Sequence, residues 1–466
     1  MFSADILEKA RNGDLYSALS LGVDYSEGNG VAIDFDEAKK WLEIALATDN
    51  SVAYGYLGDI YFYGKGHCER NPSKGIELYQ KSVEKAANDS WLEIHAAVLG
   101  KAYIEDTECR NYEKGIFYLK KAGELGSGSS NNELGTLYFN GIEGKLQKDL
   151  PTAFLYYQKA ADEGCDVGAF NLARCYRHGY GVEQNQQEAM KWYLKSEEWG
   201  YPLATFIIAE MTRRGEAVEA DLQKAIEIFQ RYLENPDEER QGVLRALIEI
   251  AFCYSQLGDQ YNAFKYSYRA AEENDVDSQM NVAFAYLKGE AVQQDAEKAV
   301  YWLTRAAQNG DPEAMRRLGG IYMYGNYGIP IDEKKGFIFY KQGAEASDSQ
   351  AQLGVADAYR FGNGTAIDKL TALNWYKAAG DNGEPLALFC LAEMYNNGEG
   401  VSEDYPLSIS YYRQYLESGD NNYIPQAYCG IGVAAYYLND MQSAYAFLNK
   451  AAELGDERAK EILQQI

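Results

Sequence analysis

Twelve oxygen-bearing side chains recur along this chain at near-constant intervals: Asp34, Asn71, Asn111, Asp149, Asn185, Asp221, Asp259, Asp295, Asp332, Asp368, Asp404 and Asp440. Carboxylates and amides in such numbers could ligate hard cations or move protons. Their surroundings point elsewhere. Four residues on stands a small residue (Ala38, Gly75 and Gly115 in the first three cases), and three beyond that, usually, an aromatic such as Trp41, Tyr118 or Trp302. That spacing puts each Asp or Asn just ahead of a helix, where its oxygen accepts the free N–H groups of the first turn. The histidines are His67, His95 and His178, far apart, with no His-x-x-x-His and no Cys–His pairing, so no metal site is expected. Cys165 and Cys175 are close in sequence and read as packing or surface thiols, not as a redox pair. Gly-x-Gly-Val occurs at residues 28–31, 179–182 and 398–401. A phosphate loop needs a preceding strand and a Gly-Lys-Ser/Thr, which are missing, so these glycines read as helix stops. With no nucleophile–base pair, metal cluster or cofactor loop, the chain is expected not to be an enzyme and to carry no cofactor.

The elements that hold these residues are repeats. The small residues lie 36 to 40 positions apart from Ala38 to Ala444, and a period of that size marks an array of supersecondary units. In residues 278–310, Met280 to Lys288 has apolar residues at helical spacing and ends at Gly289. Asp295 opens a second helix whose Ala299, Trp302, Leu303 and Ala306 form one face. Each repeat is therefore helix A, loop, helix B, turn. The small residue of helix B lets helix A approach, and the aromatic three positions on is expected to fill the remaining space. A second small residue follows the first by seven positions, and only Tyr232 and Tyr415 interrupt it. Helix A carries its own pattern, as in Leu134-Gly135-x-x-Tyr138 and Leu318-Gly319-x-x-Tyr322. Most A–B links run to ten or so residues; after Tyr254 and near Tyr437 they are much shorter.

Composition fits a folded array. The 466 residues are 46% hydrophobic, which excludes a disordered chain, and a formal charge of −26 repels phosphate backbones and anionic bilayers. Nucleic acid and membrane insertion are thus not expected, and a basic partner is compatible. Seven cysteines without a CxxC argue for a reducing compartment. The opening MFSADILEKARNGD has no apolar run, and no stretch approaches the ~20 apolar residues of a membrane span. The reading is cytoplasmic.

At residues 176–200 and 389–419 the chain resembles the Sel1-like repeat family, a tetratricopeptide-like branch of the α-solenoids. Residues 372–379, ALNWYKAA, nearly match the family's helix B. The resemblance covers essentially the whole chain and implies an all-α fold: a right-handed superhelix of about twelve helix-turn-helix repeats, binding other proteins or peptides without catalytic residues. It is weakest at residues 70–89 and 236–274. Residues 1–13 read as an N-terminal capping helix, 14–457 as the array and 458–466 as a C-terminal capping helix, so that the array is complete. Gly126-Ser127-Gly128-Ser129-Ser130 reads as a wider turn and not a domain boundary.

In tetratricopeptide-like stacks helix A lines the concave face. Taken from the Leu-Gly-x-x-Tyr pattern, the positions expected there include Phe139, Arg174, Arg177, Arg213, Phe284, Arg316, Met323 and Arg360. Arginine binds carboxylates through paired hydrogen bonds, so the groove is expected to take an acidic segment or a C-terminal carboxylate; the alternative is ion pairing to neighbouring Glu. Trp91 and Trp199 fall outside the core ladder and are candidate interface anchors. The functional expectation is a non-catalytic interaction solenoid, an adaptor or scaffold. The alternative is an immunity protein that neutralises a basic toxin, which electrostatic steering would help capture.

Overall fold

The computed structural model describes residues 3–86, 88–236 and 240–466; the first two residues of the expected N-terminal cap lie outside it. Among the described residues the chain is all-α, with 26 α-helices, two short 3-10 turns and no strand. The helices pack as consecutive pairs, making a solenoid of twelve A–B repeats. By its contacts the chain divides into two compact bodies, Met1–Ala246 and Leu247–Ile466. The division falls inside the helix Arg240–Gln256, where the sequence gives no boundary signal.

In the N-terminal body Ala4–Arg11 packs on the first helix A, Leu15–Glu27. Six A–B pairs follow, the fifth being Asp166–His178 with Gln186–Glu198, and the sixth Pro202–Arg214 with Leu222–Glu234. In the C-terminal body the tenth pair is Ser349–Phe361 with Lys369–Asp381, and the eleventh Pro385–Asn397 with Tyr405–Glu417. Glu457–Leu463 packs on the last helix B, Met441–Glu453.

All twelve Asp and Asn residues cap helix B. Each side chain accepts one or two N–H groups of the first turn, as Asp295 does from Lys298 and Asn185 from Glu188. A helix start leaves four N–H groups without partners, and this oxygen satisfies one or two of them. The small residues four positions on are buried. Where the residue is Gly75 or Gly336, a Cβ would come within 3 Å of Phe62 or Met323 of the same repeat's helix A. Ser408 instead turns its hydroxyl onto the carbonyl of Ala392, 2.8 Å away.

The aromatic three residues beyond the small one is buried in some repeats, as Trp41, Tyr266 and Trp302 are, but not in others. Tyr118, Tyr156 and Tyr411 are half-buried and stack on the helix-A tyrosines Tyr103, Tyr138 and Tyr395, with ring planes 7–11° apart. The deep filler is the next residue: Tyr79, Tyr157, Tyr193, Phe229, Tyr376 and Tyr412 are all buried. These rings pass between the A helices, and the Gly of Leu-Gly-x-x-Tyr makes room for them. A Cβ on Gly58, Gly135 or Gly319 would lie 2.5–2.6 Å from the ring of Tyr79, Tyr157 or Tyr340.

Two loop features also differ from expectation. Gly126–Ser130 is no wider turn: helix B ends at Glu124 and helix A starts at Gly128, the same three-residue gap as between Glu198 and Pro202. In the Gly-x-Gly loops only the first Gly stops a helix. The second, as at Gly181 and Gly364, lies against the opening turn of the preceding repeat's helix B, and the Gly364 N–H donates to the Glu333 carboxylate at 3.2 Å.

Candidate functional site

In several repeats of both bodies helix A touches helix A of the next, as Asp166–His178 does Gly128–Asn140 and Pro385–Asn397 does Ile424–Tyr437. The inner layer of each body is thus made of A helices, and polar side chains bridge its seams. Asn171 donates to Asn132 at 2.8 Å, and two arginines do more.

Arg177 is 6% exposed. Its Nε and Nη2 donate to both oxygens of Glu216, at 2.7 and 3.1 Å, and its Nη1 stands 3.6 Å from Glu210. Arg360 is 9% exposed and repeats the arrangement: Nε and Nη2 to Glu399 at 3.2 and 2.9 Å, Nη1 to Glu393 at 3.6 Å. Each guanidinium clasps its own repeat to the next. Hydrogen bonding from Arg177 holds the Glu216 carboxyl below its ordinary range, and Arg360 does the same for Glu399. Burial pushes Glu393 and Asp357 the other way, up. For these two arginines the ion-pairing alternative describes the free protein.

The two clasps are copies of one another. Arg177 and Arg360, Glu210 and Glu393, and Glu216 and Glu399 are each 183 positions apart. So are Tyr193 and Tyr376, the exceptional Tyr232 and Tyr415, the tyrosines before the two short links (Tyr254 and Tyr437), and the matching runs PLATFIIAEM (202–211) and PLALFCLAEM (385–394). Five repeats make a longer period, with one copy of the clasp in each body. Reading one repeat at a time hides this; lining up the irregular repeats reveals it.

The copies differ at an inner position beside Tyr193 and Tyr376. Tyr376 donates its hydroxyl to Asp357. The residue corresponding to Asp357 in the first copy is Arg174. The Tyr193 hydroxyl, fully buried beside Arg177 and Arg174, has no acceptor for its proton among the described residues. A buried hydroxyl whose proton finds no acceptor stabilises nothing, whereas removing a donor from a half-buried carboxylate is costly. Tyr193→Phe is therefore expected to change stability by less than about 0.5 kcal/mol, and Tyr376→Phe to cost about 1–3 kcal/mol. Urea unfolding of the two variants side by side checks this, and equal effects would contradict it.

The remaining expected residues are placed as follows. Arg174 is exposed, with its guanidinium over the Phe139 ring at 5.9 Å and bonded to Asn171 at 3.2 Å. Arg213 is half-buried on the same helix as Glu210. Arg316 pairs with Glu313 and Asp348, both at 3.4 Å, and lines a cavity of about 430 Å³ with Tyr327 and Glu384. Phe284 lies under Arg317 and lines a cavity of about 450 Å³ with Phe252 and Lys288. Met323, expected on the groove wall, is in the core against Tyr340, because the tight A–B approach at Gly336 closes over it. Trp91 is 36% exposed and lines a cavity of about 330 Å³ with Tyr56, Asp59 and His95; Trp199 is 38% exposed at the end of a helix B. Cys165 caps helix A of repeat 5, its sulfur accepting from Gly168 at 3.3 Å, and Cys175 is buried, its thiol pushed up to about 12 by burial. No helix among the described residues is long and apolar enough to cross a membrane, and no group of three or more potential ligands gathers around a common point.

The family model for the Sel1 repeat matches residues 15–47, 51–86, 110–127, 128–165, 167–198, 202–232, 250–275, 276–311, 312–348, 347–384, 385–420 and 427–456. The chain belongs to the Sel1 repeat family. The helix Asp89–Glu105 of this Sel1 protein falls outside the matches. Among solved structures, a protective antigen present in uropathogenic Escherichia coli strains, displaying the same fold, is 25% identical with a TM-score of 0.58, covering 99% of this chain and 97% of that one. Among curated proteins, DAP3-binding cell death enhancer 1 of Mus musculus is 34% identical over 199 residues, covering 40% of this chain and 36% of that protein. Chitin synthase regulator SKT5 of Saccharomyces cerevisiae is 23% identical over 334 residues, covering 65% and 48%. The chain spans less than half the length of these two curated relatives. Proteins built from Sel1 and related repeats generally mediate protein–protein interaction or scaffolding.

Proposed function

We propose that this Sel1 protein is a non-catalytic interaction solenoid, an adaptor or scaffold, that holds a protein or peptide segment along its helix-A face. The observation that carries the reading is that three of its hollows lie on the helix-A face. The cavities of about 330, 430 and 450 Å³ each open between successive A helices, the first in the N-terminal body and the others in the C-terminal body. Concave, partly apolar sites with a few polar groups are the usual form of a ligand seat. Aromatic side chains stand exposed at the ends of A helices, including Tyr63, Tyr324 and Phe361. Aromatic and Arg anchors of this kind dominate interface energies.

The test is site-specific photocrosslinking. A benzophenone side chain at Tyr324 or Phe361 is expected to give discrete protein adducts in native lysate. The same group at the exposed helix-B positions Phe117 and Tyr301 is expected to give none. Adducts confined to the helix-B positions, or none anywhere, would sink the reading.

A further inference from the structure

We infer that the fifth and sixth repeats form a carboxylate-binding site for an acidic segment of a protein partner, and that its five-repeat copy in the tenth and eleventh repeats has lost this capacity. The inference rests on the helix-A-face reading above and says which ligand chemistry that face takes, and where. Four observations carry it.

First, among the described residues one ion-pair network there gathers several arginines around two carboxylates, in a strongly acidic chain. The buried Glu210 carboxylate is shared by Arg177, Arg214 and Arg245, at 3.6, 3.3 and 3.5 Å, and Glu216 by Arg177 and Arg214. Among the described residues three guanidiniums thus share these two carboxylates, and Arg174 stands beside them on the same helix as Arg177. Second, Arg174 projects from the inner layer with no carboxylate partner among the described residues, only the Asn171 amide oxygen and the face of Phe139. Third, behind Arg174 lies the fully buried Tyr193 hydroxyl, a donor whose charged neighbours Arg174 and Arg177 can only donate. An oxygen anion is the chemistry that such a set of donors recognises.

Fourth, the other copy shows which anion fits. Beside its equivalents of Tyr193 and Arg177, at the position of Arg174, stands a carboxylate, Asp357, accepting from Tyr376 and facing Arg360. Three of the first copy's four arginines are gone at the same offset, replaced by Asp357, Asn397 and Tyr428. The second copy supplies its own carboxylate, and the first leaves that place to a guest. The clasp Arg177–Glu216 is common to both copies, so it serves the seam between repeats, while Arg174, Arg214 and Arg245 set the sign of the surface.

The probe is a fluorescein-labelled decapeptide alternating Glu and Gly, titrated into the full chain by fluorescence anisotropy at low salt, with the Asn–Gly decapeptide as control. One saturable site is expected for the Glu peptide, weakening as salt is raised. Arg174→Asp, which copies the second site, is expected to weaken it at least about tenfold, and Arg174→Gln less. Tyr193→Phe should weaken it a few-fold, and circular dichroism should show all three variants folded, since Arg174 is exposed and Tyr193→Phe leaves the ring in place. No saturable binding of the Glu peptide, equal binding of the Asn peptide, or an Arg174→Asp affinity within about twofold of wild type would each overturn the inference. If helix-A crosslinks form while Arg174→Asp binds unchanged, only this site falls and the helix-A face stands; if no crosslinks form there, the underlying reading falls.

Discussion

Replacing Arg360 by alanine is expected to lower the stability of the C-terminal body by about 3–5 kcal/mol, and Arg177→Ala to do the same in the N-terminal body. The reason is what remains behind. Each guanidinium is nearly buried and holds two carboxylates of the next repeat, and its removal leaves those charges half-sheltered and unpaired. By the same logic Arg360→Met with Glu399→Met should recover part of the loss, because an apolar pair needs no compensation. Hydrogen exchange on the full chain, read over residues 349–417 and 166–234, localises each effect. The pH dependence has a definite sign. Glu216 and Glu399 titrate lower in the folded protein than unfolded, so their contribution is complete above the unfolded value and lost as pH falls through the folded one. Glu393, raised by burial, acts oppositely: its contribution is complete below the unfolded value and declines as pH rises through the folded one. The penalty of either Arg→Ala change should therefore shrink in acid. A penalty that is constant down to about pH 3 would contradict the ion-pair account.

The second large effect is expected at a glycine. Gly364 has φ +72°, and a Cβ there would lie 2.1 Å from the Glu333 carbonyl oxygen. Alanine at this backbone angle costs about 1–2 kcal/mol by itself. Here the neighbour is backbone and cannot rotate away, so the loop must lift from the preceding helix B, and the total should exceed about 3 kcal/mol. Gly383 is the control: φ is +85° with nothing within 4 Å, so Gly383→Ala should show the backbone cost alone. Urea midpoints of the two variants decide it, and equal losses would show that the close approach carries no weight.

Much of this fold was legible because its devices are local. A capping Asp, a small residue four positions on and a glycine stop each act within a few residues, and their recurrence in phase identifies the array. The deep position was misassigned because Tyr156 and Tyr157 are adjacent and both aromatic; only their direction, one stacking outward on Tyr138 and the other passing behind Gly135, separates them. Met323 was placed on the surface for a similar reason, since helical phase alone does not say how tightly the facing helix closes. The arginines were found by charge, but their partners lie 33 and 39 positions away in the next repeat, beyond any local pattern. The five-repeat period was written in the exceptions, Tyr232 with Tyr415 and the two short links, which a search for regularity sets aside.

The clasps also bear on how each body would behave under tension. A stack held only by nearest-neighbour faces yields one repeat at a time when its ends are drawn apart. A guanidinium gripping both oxygens of a carboxylate on the next repeat resists as a latch, since its two parallel bonds must break together. Among the described residues each body carries one such latch, so its unravelling would proceed easily from an end and then stall at the seam spanned by Arg177 or by Arg360.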